Sequence, residues 1–327
     1  MKILVTGGSG FVGRNFSKYF LSKGHSVVNV DNFLSGGGSR PRSEWLENTI
    51  GEYLEYNMDC REYFQKNTFE NFDLVLHLAA VVGGRLTIER NPLAVADDLS
   101  IDSEFWKWAS QSKPGHIICF SSSAAYPVRL QSREVRQFLK ESDINFDGDL
   151  GMPDLTYGWA KLTHEYLGLL ASKQYGLNVT TYRPFSGYGE DQSLDYPFPS
   201  ICVRAIESRD SERMVVWGTG DQSRDFIHID DVVAGVIATY PKITDGSALN
   251  LCTQRLTTFK ELARIACESV GYKPEIKGNS DFPEGVFSRG GDASLLKSFG
   301  FEAKISIEEG VARAVRFFMA ERNQNAK

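Results

Sequence analysis

Residues 2–13 read K-I-L-V-T-G-G-S-G-F-V-G, and this stretch decides the fold. K-I-L-V-T is a near-continuous apolar run of the kind that fills a strand buried on both faces. T-G-G-S-G-F-V-G follows at once, with Gly7, Gly10 and Gly13 three residues apart. Glycine lets the chain turn tightly, lets a pyrophosphate approach the backbone, and lets the next helix pack closely. The amphipathic stretch from Phe11 and Val12 to Gly24 supplies that helix, whose first amides point at an anion. S-V-V-N-V-D (26–31) is the second strand and ends in Asp31, beside Asn32. A carboxylate there accepts hydrogen bonds from an adenosine ribose and repels a 2′-phosphate, which selects NAD over NADP. Strand, glycine turn, helix and terminal acid agree. We read a dinucleotide site made of Gly7, Gly10, Phe11, Val12, Gly13, Asp31 and Asn32.

Further along, F-D-L-V-L-H-L-A-A (72–80), H-I-I-C-F-S (116–121) and N-V-T-T-Y-R-P (178–184) continue the apolar strands. Residues 100–112 and 155–175 between them carry helical spacing. Buried strands alternating with helices predict an α/β fold, a doubly wound parallel sheet of Rossmann type. Leu78, Ala79 and Ala80 close the fourth strand, as a backbone lying along a cofactor requires. Asp59 is read as a neighbour of the adenine, the alternative being a plain turn aspartate. From Arg183 the texture changes, with aromatics and proline at Tyr196–Pro199 and charges over Glu207–Arg213. Residues 225–238 look like another strand-to-helix passage, with Asp230 or Asp231 placed to cap the helix. Helices are expected over 257–270 and 306–321, followed by a frayed tail. The expected division is a cofactor domain over 1–182 plus about 225–252. A smaller substrate domain takes 183–224 and 253–327.

Composition excludes several classes. A net charge of −6 argues against a broad footprint for nucleic acid or anionic membrane. No apolar run approaches a membrane span, and the N-terminal I-L-V is too short for a signal peptide. The five cysteines are scattered, without the spacing of a zinc site, and read as apolar fillers in a reducing cytosol. The expectation is a cytoplasmic protein without a metal. His77, His164 and His228 read as structural.

T-Y-G-W-A-K places Tyr157 and Lys161 four apart, on one face of a helix. A free tyrosine titrates near ~10 and is a poor base at neutral pH. A lysine ammonium, a nicotinamide cation and a hydroxyl hydrogen bond lower that value by stabilising the phenolate. The run F-S-S-S-A-A-Y-P (120–127) supplies hydroxyls at a strand end. Arg224 and Arg289 are candidates for gripping a diphosphate through bidentate hydrogen bonds.

Together, T-G-G-S-G-F-V-G, V-D-N, H-L-A-A, S-S-S-A-A-Y, Y-G-W-A-K, R-P-F-S-G-Y-G, R-D-F-I-H-I-D-D and R-G-G-D make the chain resemble the extended short-chain dehydrogenase/reductase family. Specifically, it resembles the nucleotide-sugar epimerases and dehydratases, over nearly its whole length. A-A-V-V-G-G and G-V-F-S-R-G-G-D look closest to the branch handling GDP-sugars. The resemblance implies a catalytic set of Ser122, Tyr157 and Lys161, with Ser123 as the second choice for the serine. It implies that Tyr157 takes a proton from a sugar hydroxyl, usually at C4, and that NAD accepts the hydride. Ser122 would hold the oxygen, Lys161 the nicotinamide ribose, and Arg224 and Arg289 the nucleotide diphosphate. A homodimer through two helices per subunit, with 155–175 participating, is implied as well.

Departures from the pattern narrow the reading. Family dehydratases carry acids where Ser123 and Ala124 stand, and the GDP-sugar epimerases acting at C3 and C5 carry a cysteine at Ala124. E-D-Q-S-L-D-Y-P-F (190–198) lacks the Lys or His those epimerases use, and Ser186 replaces the family asparagine as a substrate contact. Residues 128–150 are longer than usual. The expected activity is a nucleotide-sugar 4-epimerase. Alternatives are a 4-dehydrogenase or 4-keto reductase, a 4,6-dehydratase, or a catalytically silent NAD-binding protein.

Overall fold

In the computed structural model, residues 1–34, 46, 49–67, 70–81, 85–209, 211–282 and 285–325 are described. Residues 82–84 of the A-A-V-V-G-G stretch lie outside them. Seven parallel strands form the main sheet, in the order β11-β7-β5-β4-β1-β2-β3. They are β1 (Lys2–Thr6), β2 (Ser26–Asp31), β3 (Tyr53–Asn57), β4 (Leu74–His77), β5 (Ile117–Phe120), β7 (Val179–Pro184) and β11 (Asp245–Leu251). Strand order reverses between β1 and β4, so the crevice at their C-terminal ends is where a ligand binds. Thr6 and His77 end those two strands in register.

Both faces of the sheet are covered. One core gathers Ile3, Val5, Phe16, Phe20 and Leu76 with Val232 and Val236 of helix Ile229–Thr239. The opposite core gathers Leu4, Val28, Phe64, Val75 and Phe105. Alternate residues of β1 thus serve opposite layers, which is why the strand is apolar throughout.

A second sheet runs β12-β10-β14-β6, with β8 pairing β10. Its strands are β6 (Phe138–Leu139), β8 (Ser186–Tyr188), β10 (Ser223–His228), β12 (Leu256–Thr258) and β14 (Ser288–Gly291); β9 (Arg213–Trp217) and β13 (Glu275–Asn279) pair separately. The stretch assigned to 225–252 is therefore split. Its strand pairs in the second sheet, while its helix and β11 return to the first. Helices Pro197–Glu207, Phe259–Val270 and Ile307–Asn325 share a core with this part of the chain.

Two local expectations change. The helix at Ile229 is capped by His228, whose ring accepts from the Asp230 amide, rather than by Asp230 or Asp231. Asp231 is buried and accepts from the amides of Lys304 and Ile305. The C-terminal helix continues to Asn325, so residues 321–325 are helical instead of frayed.

Segment 128–150 is built into the second sheet: Phe138 and Leu139 pair with Gly290 and Gly291. Leu139 packs with Tyr126, Phe185 and Cys252. All five cysteines are buried and unpaired. Among the described residues, no helix is long and apolar enough to cross a membrane, and no cluster of His, Cys, Asp or Glu suits a metal ion.

Candidate active site

Gly7 adopts φ +69°, and a Cβ there would stand 2.9 Å from the Ala79 amide nitrogen. The turn after β1 and the Leu78–Ala80 segment after β4 are therefore in direct backbone contact. A side chain at Gly13 would collide with the Gly7 carbonyl, so the helix Phe11–Ser22 sits directly on the turn. Gly10 caps that helix without a side-chain acceptor, and its first turn carries no acid. Asp31 closes β2 with its carboxylate fixed by the amides of Ser9 (3.0 Å) and Phe33 (2.8 Å). Asn32 accepts from the Leu34 amide. A bare, donor-rich helix start beside a positioned carboxylate fits a dinucleotide, with amides for pyrophosphate and an acceptor for ribose.

Asp59 starts the helix after β3. It caps helix Cys60–Lys66 through the Arg61 amide and pairs with the Arg61 guanidinium at 2.6 Å. The side-chain hydrogen bond from Arg61 is the main cause holding its carboxyl below the ordinary value.

After β5 the chain turns through Ser123–Ala125, with Ser122 as cap: its hydroxyl accepts from the Ala124 amide at 3.1 Å. The Ala124 carbonyl accepts from the Asp154 amide at 2.9 Å. A Cβ on Gly158 would collide with that same carbonyl, so the serine turn and the start of helix Leu155–Tyr175 are packed together next to Tyr157. Ser123 and Ala124 are buried. Lys161, one turn along, is buried with Nζ 5.6 Å from the centre of the Tyr157 ring. Burial works against its charge, but Tyr157, Asp98 and Asp102 together more than offset this and raise its pKa. The lysine therefore stays an ammonium facing the phenol.

The two arginines are brought together. Arg224 on β10 and Arg289 on β14 are register partners in adjacent parallel strands. Arg224 lies over the Phe259 ring, 5.7 Å from its centre. Arg289 bonds Gln131 at 2.5 Å and pairs with Asp154 at 2.6 Å, so it also fixes the residue that precedes helix Leu155–Tyr175. Ser186 opens β8, paired with Phe226 of β10.

The family model described as "NAD dependent epimerase/dehydratase family" matches residues 3–252. The chain belongs to that family. A UDP-N-acetyl-alpha-D-glucosaminuronate decarboxylase from Bacillus cytotoxicus is 25% identical over 97% of each chain. A GDP-L-colitose synthase from Yersinia pseudotuberculosis is 25% identical, over 99% of this chain and all of its own. The crystal structure of a UDP-glucose 4-epimerase from Thermotoga maritima, solved with UDP-glucose, superposes with a TM-score of 0.80 at 25% identity. It covers 98% of this chain and 100% of that one. As a member of this epimerase/dehydratase family, the protein is an NAD-dependent enzyme of nucleotide-sugar type.

Several groups in this epimerase/dehydratase site escaped the sequence reading. Arg183 and Glu165, both almost fully buried, form a bidentate pair with a shortest distance of 2.6 Å. Ser121 donates to Glu165, and Arg183 also donates to Tyr126 Oη and the Glu141 carbonyl, each at 3.0 Å. His164 and His77, read from sequence as structural, flank Asp102 at 3.0 and 3.3 Å, and His77 reaches Thr6 at 2.8 Å. Burial opposes protonation of His164, yet Asp102 raises its pKa well above the ordinary value. Burial keeps His77 down at about 4. Asp98 accepts from the Val81 amide, and its pKa is raised by burial despite Lys161. Tyr196 is pushed up to about 12 by burial, with Tyr157 and Asp195 adding to the effect. The aromatic cluster at 196–199 is the sequence signal that could have found it.

Proposed function

We propose that this enzyme oxidises a nucleotide-sugar at C4 and reduces the ketone from the opposite face, as a 4-epimerase. Bound NAD supplies the hydride acceptor and donor. The Tyr157 phenolate accepts the proton of the C4 hydroxyl and returns it after reduction, while the Lys161 ammonium stabilises that phenolate. The Ser122 hydroxyl orients the sugar oxygen, with Ser123 and Ser186 alongside. Gly7, Gly10, Phe11, Val12 and Gly13 hold the pyrophosphate, Asp31 and Asn32 the ribose, and Leu78–Ala80 the cofactor's flank; Arg224 and Arg289 bind the substrate diphosphate. The adenine contact of Asp59 is limited to carboxylate edges left by Arg61.

The observation that supports hydride chemistry alone is Ala124. It is buried in the serine turn beside Tyr157, its carbonyl tied to Asp154, and a methyl there can neither remove a C3 or C5 proton nor protonate a leaving hydroxyl. Stopping at the ketone, as a 4-dehydrogenase or 4-keto reductase, uses the same residues. The decarboxylase relative supports a further variant, in which a 4-ketone made from a uronic sugar loses carbon dioxide as a β-keto acid.

We assign the base to guanine, on the likeness of residues 285–292 to the GDP-sugar branch and on the colitose synthase relative. Cofactor binding is assigned to 1–182 with about 229–252, the helix and strand that return to the main sheet, and the substrate to 183–228 and 253–327. A homodimer through helix Leu155–Tyr175 is supported by Trp159 and Tyr166, which it leaves exposed. Tyr157→Phe tests the catalytic assignment. Turnover falls by at least about 100-fold, the scale of general acid–base catalysis, while NAD binding, read by fluorescence, is unchanged. A Phe variant that turns over like the parent would remove Tyr157 from the mechanism.

A further inference from the structure

Segment 128–150 lies between the serine turn and Tyr157 and plays no part in hydride transfer, yet it is fixed to the substrate sheet at two points. Gln131, 1% exposed, donates to the carbonyls of Tyr126 and Pro127, while its own carbonyl accepts from the Phe287 amide. Phe138 and Leu139 pair with β14. The intervening S-R-E-V-R-Q (132–137) is thereby held over the start of β14. Arg133 and Arg136 lie on the Phe287 ring, 4.3 and 5.1 Å from its centre.

Phe287 precedes Arg289 by two residues, at the entry to β14. Arg224 is the in-register neighbour of Arg289. Four guanidinium groups are thus anchored at the β10–β14 pair, Arg224 and Arg289 on the strands and Arg133 and Arg136 on the Phe287 ring just before β14. Asp154 meets Arg289 at 2.6 Å and offsets part of that positive charge. Cation–π contact with Phe287 positions the Arg133 and Arg136 groups while leaving N–H donors for an anion.

We propose that Arg133 and Arg136 complete the anion site of β10 and β14 by contacting the diphosphate of the nucleotide-sugar. The 128–150 segment is then a substrate-binding arm. This rests on the nucleotide-sugar reading above. The test is calorimetric titration of the NAD-loaded enzyme with GDP, UDP, dTDP and inorganic pyrophosphate. The expected result is a loss of at least about tenfold in nucleoside-diphosphate affinity in Arg133→Gln/Arg136→Gln, the scale of a lost charge-assisted hydrogen bond. NAD affinity stays unchanged. Phe287→Leu, which keeps both charges but removes the ring, shows a smaller loss. Arg264→Gln/Arg322→Gln, an equal charge change at two exposed pairs elsewhere, shows none.

If the parent binds a nucleoside diphosphate and the double variant binds it within twofold, the arm is not part of the site. An equal loss in the Arg264/Arg322 control would reduce the effect to net charge and overturn the proposal. If the parent binds no nucleoside diphosphate, the ligand class itself fails and this extension fails with it. Loss of pyrophosphate affinity in parallel supports contact with the diphosphate; loss confined to the nucleosides would place the arm at the base and refute the contact.

Discussion

Glu165→Gln keeps the shape of a buried side chain and removes one charge from its ion pair with Arg183. Both partners are sealed from water, at 2% and 3% side-chain exposure, and the pair is bidentate. After the substitution, the Arg183 guanidinium keeps the Tyr126 hydroxyl and the Glu141 carbonyl but has no counter-ion. Breaking a buried pair from one side costs about 3–5 kcal/mol, because an uncompensated charge remains in the interior. With about 2–4 °C of midpoint shift per kcal/mol in larger domains, the thermal midpoint should fall by roughly 6–20 °C. Arg183→Met should cost a similar amount. The double variant Glu165→Gln/Arg183→Met should cost clearly less than the sum, since the second change removes the stranded charge. Urea and thermal unfolding of the four proteins close the cycle. A single-variant cost under about 1 kcal/mol, the range of exposed pairs, or strict additivity in the double, would refute the reasoning.

Gly13→Ala should destabilise the fold by about 1–3 kcal/mol and weaken NAD binding, since its Cβ meets the Gly7 carbonyl; unchanged stability and NAD affinity would contradict the packed turn. His164→Gln should have a pH-dependent cost. The folded-state pKa of His164 is raised by Asp102, so its stabilisation is full below the ordinary histidine value of about 6.5 and fades as pH climbs through about 10. The folded-state pKa of Asp102 is depressed, so the carboxylate stays ionised throughout that window. The difference in thermal midpoint from the parent should be larger at pH 6 than at pH 10; a difference that grows with pH would reverse the sign. Lys161→Met should lower turnover by at least about tenfold, on the scale of a lost charge-assisted contact, and turnover equal to the parent's would argue against phenolate support.

The parts of the site that could be read from sequence are those whose chemistry is local. The glycine turn with Asp31 lies within thirty residues of chain, and Tyr157 with Lys161 within one helical turn, so spacing alone constrains their geometry. Five of the seven main-sheet strands were also legible, because burial on both faces makes them largely apolar; the edge strands Tyr53–Asn57 and Asp245–Leu251, partly exposed, lack that signature. What could not be read joins residues far apart in sequence. The Arg289–Asp154 pair spans 135 positions and depends on β14 lying beside segment 128–150. Nothing in R-G-G-D announces it. The capping of Ile229 by His228 escaped for a different reason. Asp is the better cap by propensity, but here Asp231 is buried to hold Lys304 and Ile305, a tertiary demand invisible in the local pattern.

The account stands most directly on one measurement: the NAD-loaded enzyme incubated in D2O with GDP-, UDP- and dTDP-sugars, with products read by NMR. Tyr157 chemistry confined to C4 predicts a 4-epimer with no deuterium at carbon. Solvent deuterium at C3 or C5 would show a proton-removing group that Ala124 and its neighbours do not supply, and would contradict the account.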